Sequence, residues 1–201
     1  MSIEKQFTES IAFRTQFDKH FDLDADACEV LESTFRKTCD QAMQEPFFSI
    51  RQNVCTLAKS FADDNTAPAY SYQCLADSHV FLNACIAQAV VQEKYLTLTV
   101  GDVAYRGESL FNTTRTTLHD AIASGISTED KPRFHVWLTL ADMTIIDFSI
   151  LTVLGSGAHA ALGGKSNQGV NIWRPERKGP LEYYPLLVDD EFLARLQRPS
   201  H

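Results

Sequence analysis

The chain has 201 residues, 44% of them hydrophobic and 22% charged, with a formal net charge of −8. That length suits one packed domain rather than two, and the acidic balance argues against nucleic-acid or anionic-membrane surfaces, which do not attract an acidic protein. No apolar run reaches the about 18 residues of a membrane span, and Met-Ser-Ile-Glu-Lys-Gln lacks the apolar core of a secretory signal.

Residues 1–62 read as helical. Thr8–His20 is short and amphipathic, and Asp24–Gln44 is longer, with Cys28, Val30, Leu31, Phe35, Cys39 and Met43 inward. Pro46 ends that helix, and Phe47–Phe61 makes another with Ile50, Val54, Leu57, Ala58 and Phe61 on one stripe. A breaker, Asp63-Asp64-Asn65-Thr66-Ala67-Pro68, then leads through Tyr70-Ser71-Tyr72-Gln73 to Cys74. Beyond it Leu75, Val80, Phe81, Ala84, Cys85, Ala87, Val90 and Val91 keep to one side of a helix, which places Cys74 in its first turn.

Leu96–Val100 alternates as a strand, and Asn112–Ser124 reads as a short helix closed by Gly125. Pro132 precedes the most informative stretch, residues 134–148. Phe134, Val136, Leu138 and Leu140 carry one parity and His135, Trp137 and Thr139 the other; Ile146, Phe148 and Ile150 are then set against Asp147 and Ser149. Side chains alternate faces along a strand, so this reads as a hairpin with one buried and one polar face. A three-residue connection centred on Ala141 sets Thr139 opposite Met143 and His135 directly opposite Asp147, within reach of a hydrogen bond. The stretch Gly155–Gly169 is glycine-rich and reads as a loop near the site, a lid by composition. Leu181–Val188 is a last strand and Asp189–Leu196 a terminal helix. Helices first and mainly antiparallel strands afterwards give an α+β class, one domain over 1–201, with N-terminal helices packed on an antiparallel sheet.

A histidine held by a carboxylate is two thirds of a nucleophilic triad, and Cys74 supplies the remaining third. Free N–H groups and the positive dipole end at a helix start stabilise a thiolate, and the same N–H groups can hold an oxyanion. Asp147, flanked by Ile145, Ile146 and Phe148, is costly to bury unpaired, so it needs a partner. Five cysteines without Cys-x-x-Cys or a disulfide-like framework fit a reducing, cytoplasmic setting. Cys28, Cys39, Cys55 and Cys85 fall in apolar stripes and read as core. His79, His119 and His159 lie away from the pattern. No metal-ligand spacing occurs. Gly163-Gly164-Lys165-Ser166 lacks the upstream glycine and the following helix of a phosphate loop.

A Cys at a helix start, a His on a later strand and an Asp on the next strand follow the order of papain-like and transglutaminase-like cysteine enzymes. Over residues 70–150 the chain resembles the transglutaminase-like branch, with His135-Val136-Trp137 as its His-x-Trp and Ile146-Asp147 as its acidic strand. Cys74 precedes His135 by 61 residues and His135 precedes Asp147 by 12. The chain departs from the pattern at Tyr72, where a small residue is usual, at Ala141-Asp142-Met143 in place of a glycine turn, and at Pro68, where a papain-type oxyanion glutamine would stand. The resemblance implies a papain-like or transglutaminase-like core and a cofactor-independent hydrolase that cleaves an amide through a thioester. Cys74, His135 and Asp147 are then the triad. Apart from the resemblance, Gln73 can offer a side-chain amide to the oxyanion in place of the missing glutamine, and Trp137 and Tyr72 read as cleft residues. The implied substrate is a peptide, a protein or a small amide. An acyltransferase or transamidase using the same triad, and a non-catalytic binding module on the same fold, stay open, as does the oligomeric state.

Overall fold

A computed structural model describes residues 2–14, 45–64, 73–92, 95–124, 134–155 and 169–197, together with positions 33, 37, 38, 40 and 41. The expected helix over Asp24–Gln44, with Cys28 and Cys39, therefore lies largely outside the described residues, as do residues 65–72, Pro132 and most of the glycine-rich segment with His159.

The chain is a mixed helix and antiparallel-sheet structure. In order it forms α1 (Ile3–Arg14), α2 (Glu45–Asp64), α3 (Gln73–Ala87), β1 (Leu96–Tyr105), β2 (Glu108–Ser109), α4 (Arg115–Ser124), β3 (His135–Leu140), β4 (Ile145–Asp147), α5 (Ile150–Gly155), β5 (Asn171–Trp173), β6 (Leu181–Val188) and α6 (Phe192–Gln197). The helices are not confined to the N-terminal side as expected: α4 and α5 fall between strands and α6 follows the last one. Pro46 sits in the first turn of α2 rather than before it, where its missing N–H has no helical acceptor to lose. Helix α3 ends on Ala89 in the left-handed region (φ 52°). The N–H groups of Ala89 and Val90 return to the carbonyls of Ile86 and Cys85 there, a closure that usually selects glycine.

The sheet runs β2–β1–β3–β4–β5, with β6 also pairing β1. Strand β1 is its hub and is longer than the sequence pattern indicates, because Gly101 interrupts the alternation. The pairing with β6 shifts register between Val100 and Gly101, where Leu186 of β6 is the extra residue. Gly101 is required there: a Cβ would lie 2.2 Å from the Tyr184 carbonyl oxygen and 2.7 Å from the Trp137 ring.

Both faces of the sheet are covered, so the expected polar face is in fact interior. On one side Val136, Leu138, Leu140 and Ile146 pack against Val54 and Ala58 of α2 and Leu75, Phe81, Leu82 and Cys85 of α3. On the other, Trp137 and Ile145 join Val103, Tyr105, Ile150, Leu154 and Tyr183. Val80 of α3 is 56% exposed and Leu57 of α2 37%, against the inward stripes expected for them. Helix α1 lies along β6, with Phe7 and Ile11 against Val188 and Met143. Phe61 of α2, Phe81 of α3 and Phe148 form an aromatic trio with centroids 5.1–5.4 Å apart. Each such pair contributes about 0.5–1.5 kcal/mol beyond its buried area, and together they pin α3 to the chain beside Asp147. No described helix is long and apolar enough to cross a membrane.

Candidate active site

The β3–β4 connection is centred on Asp142, one residue beyond the expected Ala141. Leu138 pairs Ile146 and Thr139 pairs Ile145, with Leu140 N–H donating to the Thr144 carbonyl. Met143 takes a positive φ of 63°, and the Asp142 carboxylate accepts from Thr144 N–H and from Arg51 of α2 at 2.7 Å. This register puts Asp147 diagonal to His135 rather than directly opposite. A diagonal gap of about 7–8 Å is still spanned by long side chains, and His135 Nε2–H donates to Asp147 Oδ2 at 2.7 Å.

Asp147 is the last residue of β4 and is fully buried. Its other oxygen, Oδ1, accepts the N–H groups of Ser149 and Ile150 at 3.0 Å each, so the carboxylate also caps the start of α5. Tyr183 of β6 donates its hydroxyl to Oδ2 at 3.0 Å, and Asn171 Nδ2 of β5 donates to the Tyr183 oxygen at 2.9 Å. Burial alone would raise the Asp147 pKa, but the His135 charge and hydrogen bond and the Ser149 and Ile150 N–H groups hold it below the ordinary carboxylate value. Burial and the neighbouring carboxylate push the Tyr183 phenol well above its usual range, so it remains a neutral donor.

His135, 1% exposed, opens β3 opposite Gly101. Burial disfavours its cation, yet the Asp147 charge and hydrogen bond, with a further contribution from Cys74, raise its pKa to about 10. The pair is therefore imidazolium and carboxylate over the physiological range. Phe111 stacks flat on the ring at 4.6 Å and 13°, and Trp137 lies 6.0 Å away at a tilt.

Cys74 is the second residue of α3, close enough to His135 for its side chain to help raise the histidine pKa. Since Nε2 is engaged by Asp147, the nitrogen left for sulfur is Nδ1. The residue is 8% exposed and unpaired with any other cysteine. One turn on, Ser78 has a buried hydroxyl without a hydrogen-bond partner among the described residues. Cys85 is buried on the same helix, and desolvation lifts its thiol to about 11.

The structure thus brings together Cys74, His135 and Asp147. Trp137 is fully buried; its indole N–H donates to Thr139, which in turn bonds Thr99, and its edge meets Tyr183 at 5.2 Å. It buttresses the sheet beneath the histidine. Gln73 contributes the first backbone position of α3, while its side chain and Tyr72 lie outside the described residues. His79 pairs with Asn83 on the outer side of α3 and His119 is a surface residue of α4. Tyr183, Asn171 and Phe111 are absent from the sequence-derived site. Tyr183 carries a weak signal, as a phenol on the buried parity of an alternating strand, whereas Asn171 and Phe111 carry none. Among the described residues no group of three His, Cys, Asp or Glu side chains could hold a metal ion. Comparison with protein-family models, curated proteins and solved structures gives no match to this chain.

Proposed function

We propose that the chain is a thiol-dependent hydrolase that cleaves an amide bond through Cys74, His135 and Asp147. The observation that carries this reading is a helix-start thiol beside an imidazole whose Nε2 is bonded to a buried carboxylate. That arrangement has the parts of acyl transfer in the required order, and it supports a papain-like or transglutaminase-like core.

In the forward step the Cys74 sulfur, its proton resting on His135, attacks the carbonyl carbon and a C–S bond forms. Backbone N–H groups of the first α3 turn face the developing oxyanion. His135 gives its proton to the departing amine as the C–N bond breaks, leaving a thioester. It then takes a proton from water, the hydroxide adds to the thioester carbon, and the proton returns to sulfur as the carboxylic acid leaves. Asp147 holds the imidazole in the Nε2–H form throughout. An amine in place of water gives acyl transfer by the same steps. A free nucleophilic thiol suits a reducing compartment.

The low exposure of Cys74 and His135 favours a second reading, a binding module that retains the constellation as a structural network. An activated ester such as p-nitrophenyl acetate separates the two. A catalytic Cys74 releases one equivalent of nitrophenol in a burst and carries one acetyl group by mass, and adding a primary amine shows whether water or amine is the preferred acceptor. A protein that gives no burst, or the same burst with His135→Ala, is not acting through this site.

A further inference from the structure

We propose that Phe111 is a positioning residue for His135, held against the imidazole by a clasp formed by Asp102 and Ser109. The inference rests on the active-site reading above and extends it to a loop that no motif marks. His135 pairs with Gly101, so the next residue, Asp102, stands beside the start of β3. Asp102 Oδ1 accepts the N–H of Phe111 at 3.2 Å, Oδ2 accepts the Ser109 hydroxyl, and Ser109 Oγ accepts the N–H of Asn112 at 2.8 Å. Phe111 is therefore gripped at its own N–H and at that of its successor. Asn112, at φ 55°, turns the chain away in a conformation that asparagine tolerates. Immediately downstream Thr114 and Thr117 cap the start of α4 reciprocally, each N–H bonded to the other hydroxyl at 3.1 and 2.9 Å. The Phe111 side chain packs against the cluster around Trp137 and lies nearly parallel to the imidazole at 4.6 Å.

An aromatic face attracts a cation and excludes water from it. Stacking thus favours the charged ring in one plane, with Nε2 toward Asp147 and Nδ1 toward sulfur. The titratable groups facing His135 among the described residues are Asp147 from β4 and Cys74 from α3, with Tyr183 of β6 behind the carboxylate; Phe111 adds no charge and acts through orientation and dielectric.

The test uses the full chain and two readouts: the alkylation rate of Cys74, and the NMR titration of the His135 ring with its Nε2–H resonance. Phe111→Leu keeps apolar bulk and is the principal variant; Phe111→Tyr is the conservative control, and Ser109→Ala loosens the clasp without touching Cys74, His135 or Asp147. Expected are about a tenfold slower alkylation and a lower His135 midpoint in Phe111→Leu, the same direction in Ser109→Ala, and recovery in Phe111→Tyr. Wild-type titration and rate in Phe111→Leu would overturn the proposal. Should wild-type Cys74 prove unreactive, the hydrolase reading fails, while the Nε2–H resonance and midpoint still decide whether Phe111 orients the ring.

Discussion

Replacing Asp147 by asparagine probes the arrangement with the least change in shape. The amide oxygen can keep the Ser149 and Ile150 N–H bonds that start α5. The amide nitrogen then faces His135 Nε2 and the Tyr183 hydroxyl, two groups that now donate. Nε2 must lose its proton to accept, which forces the proton to Nδ1 and points a donor at sulfur where a base is needed. Tyr183, already receiving a donor from Asn171, is left with no acceptor for its own proton. Charge-assisted bonds are worth about 1.5–3 kcal/mol and an orphaned buried hydroxyl costs about 1–3, so Asp147→Asn should lower unfolding free energy by about 3–5 kcal/mol, the range for breaking a buried ion pair. Loss of the correctly protonated imidazole should slow the reaction of Cys74 by at least about 100-fold. Denaturant unfolding measures the first quantity, and timed alkylation followed by peptide mapping, with Cys55 and Cys85 as internal references, measures the second. If Asp147→Asn unfolds within about 1 kcal/mol of wild type and its Cys74 labels at an unchanged rate, the carboxylate neither holds nor aligns the histidine.

Stability should depend on pH through the same pair. His135 has a folded pKa of about 10 against an ordinary 6.5, so its contribution is complete below pH 6.5 and is lost as pH rises toward 10; at roughly 1.4 kcal/mol per pH unit this is on the order of 5 kcal/mol. Asp147, lowered in the folded state, contributes above its unfolded pKa of 3.8 and loses that contribution as pH falls below it. Melting temperature should therefore be highest between those limits, and His135→Gln should flatten the alkaline decline. Gly101→Ala should cost about 3 kcal/mol by denaturant unfolding, since the new methyl meets backbone at Tyr184 and the Trp137 ring with nowhere to move; a neutral result would mean that the bulge relaxes freely. Ala89→Gly should raise stability by up to about 1 kcal/mol by relieving the left-handed φ at the end of α3.

Those parts of the structure dictated by local periodicity were legible in the sequence. Leu181–Val188 appears at the expected boundaries because a run rich in apolar and aromatic residues ends where Asp189 begins a turn. Cys74 falls in the first turn of its helix because the apolar stripe from Leu75 onward fixes the phase. The hairpin was legible in identity but shifted in register. Met143 can adopt positive φ once Asp142 is tied to Arg51 and Thr144, a tertiary circumstance invisible in a local pattern. Burial of the odd face was missed because His135, Thr139 and Asp147 satisfy one another's polar needs through Tyr183 and Thr99, partners 40 or so residues away in either direction. Trp137 illustrates the same point: a polar-face aromatic beside a histidine reads as a cleft wall, yet Gly101 leaves room for it inside.

Timed iodoacetamide labelling of the native chain at near-neutral pH, compared with His135→Ala, tests the central claim most directly. A sulfur served by a charged imidazole should give a first adduct mapped to Cys74, well ahead of Cys55 and Cys85, and should slow markedly when the ring is removed. A Cys74 that labels no faster than those two, or at the same rate without His135, would contradict it.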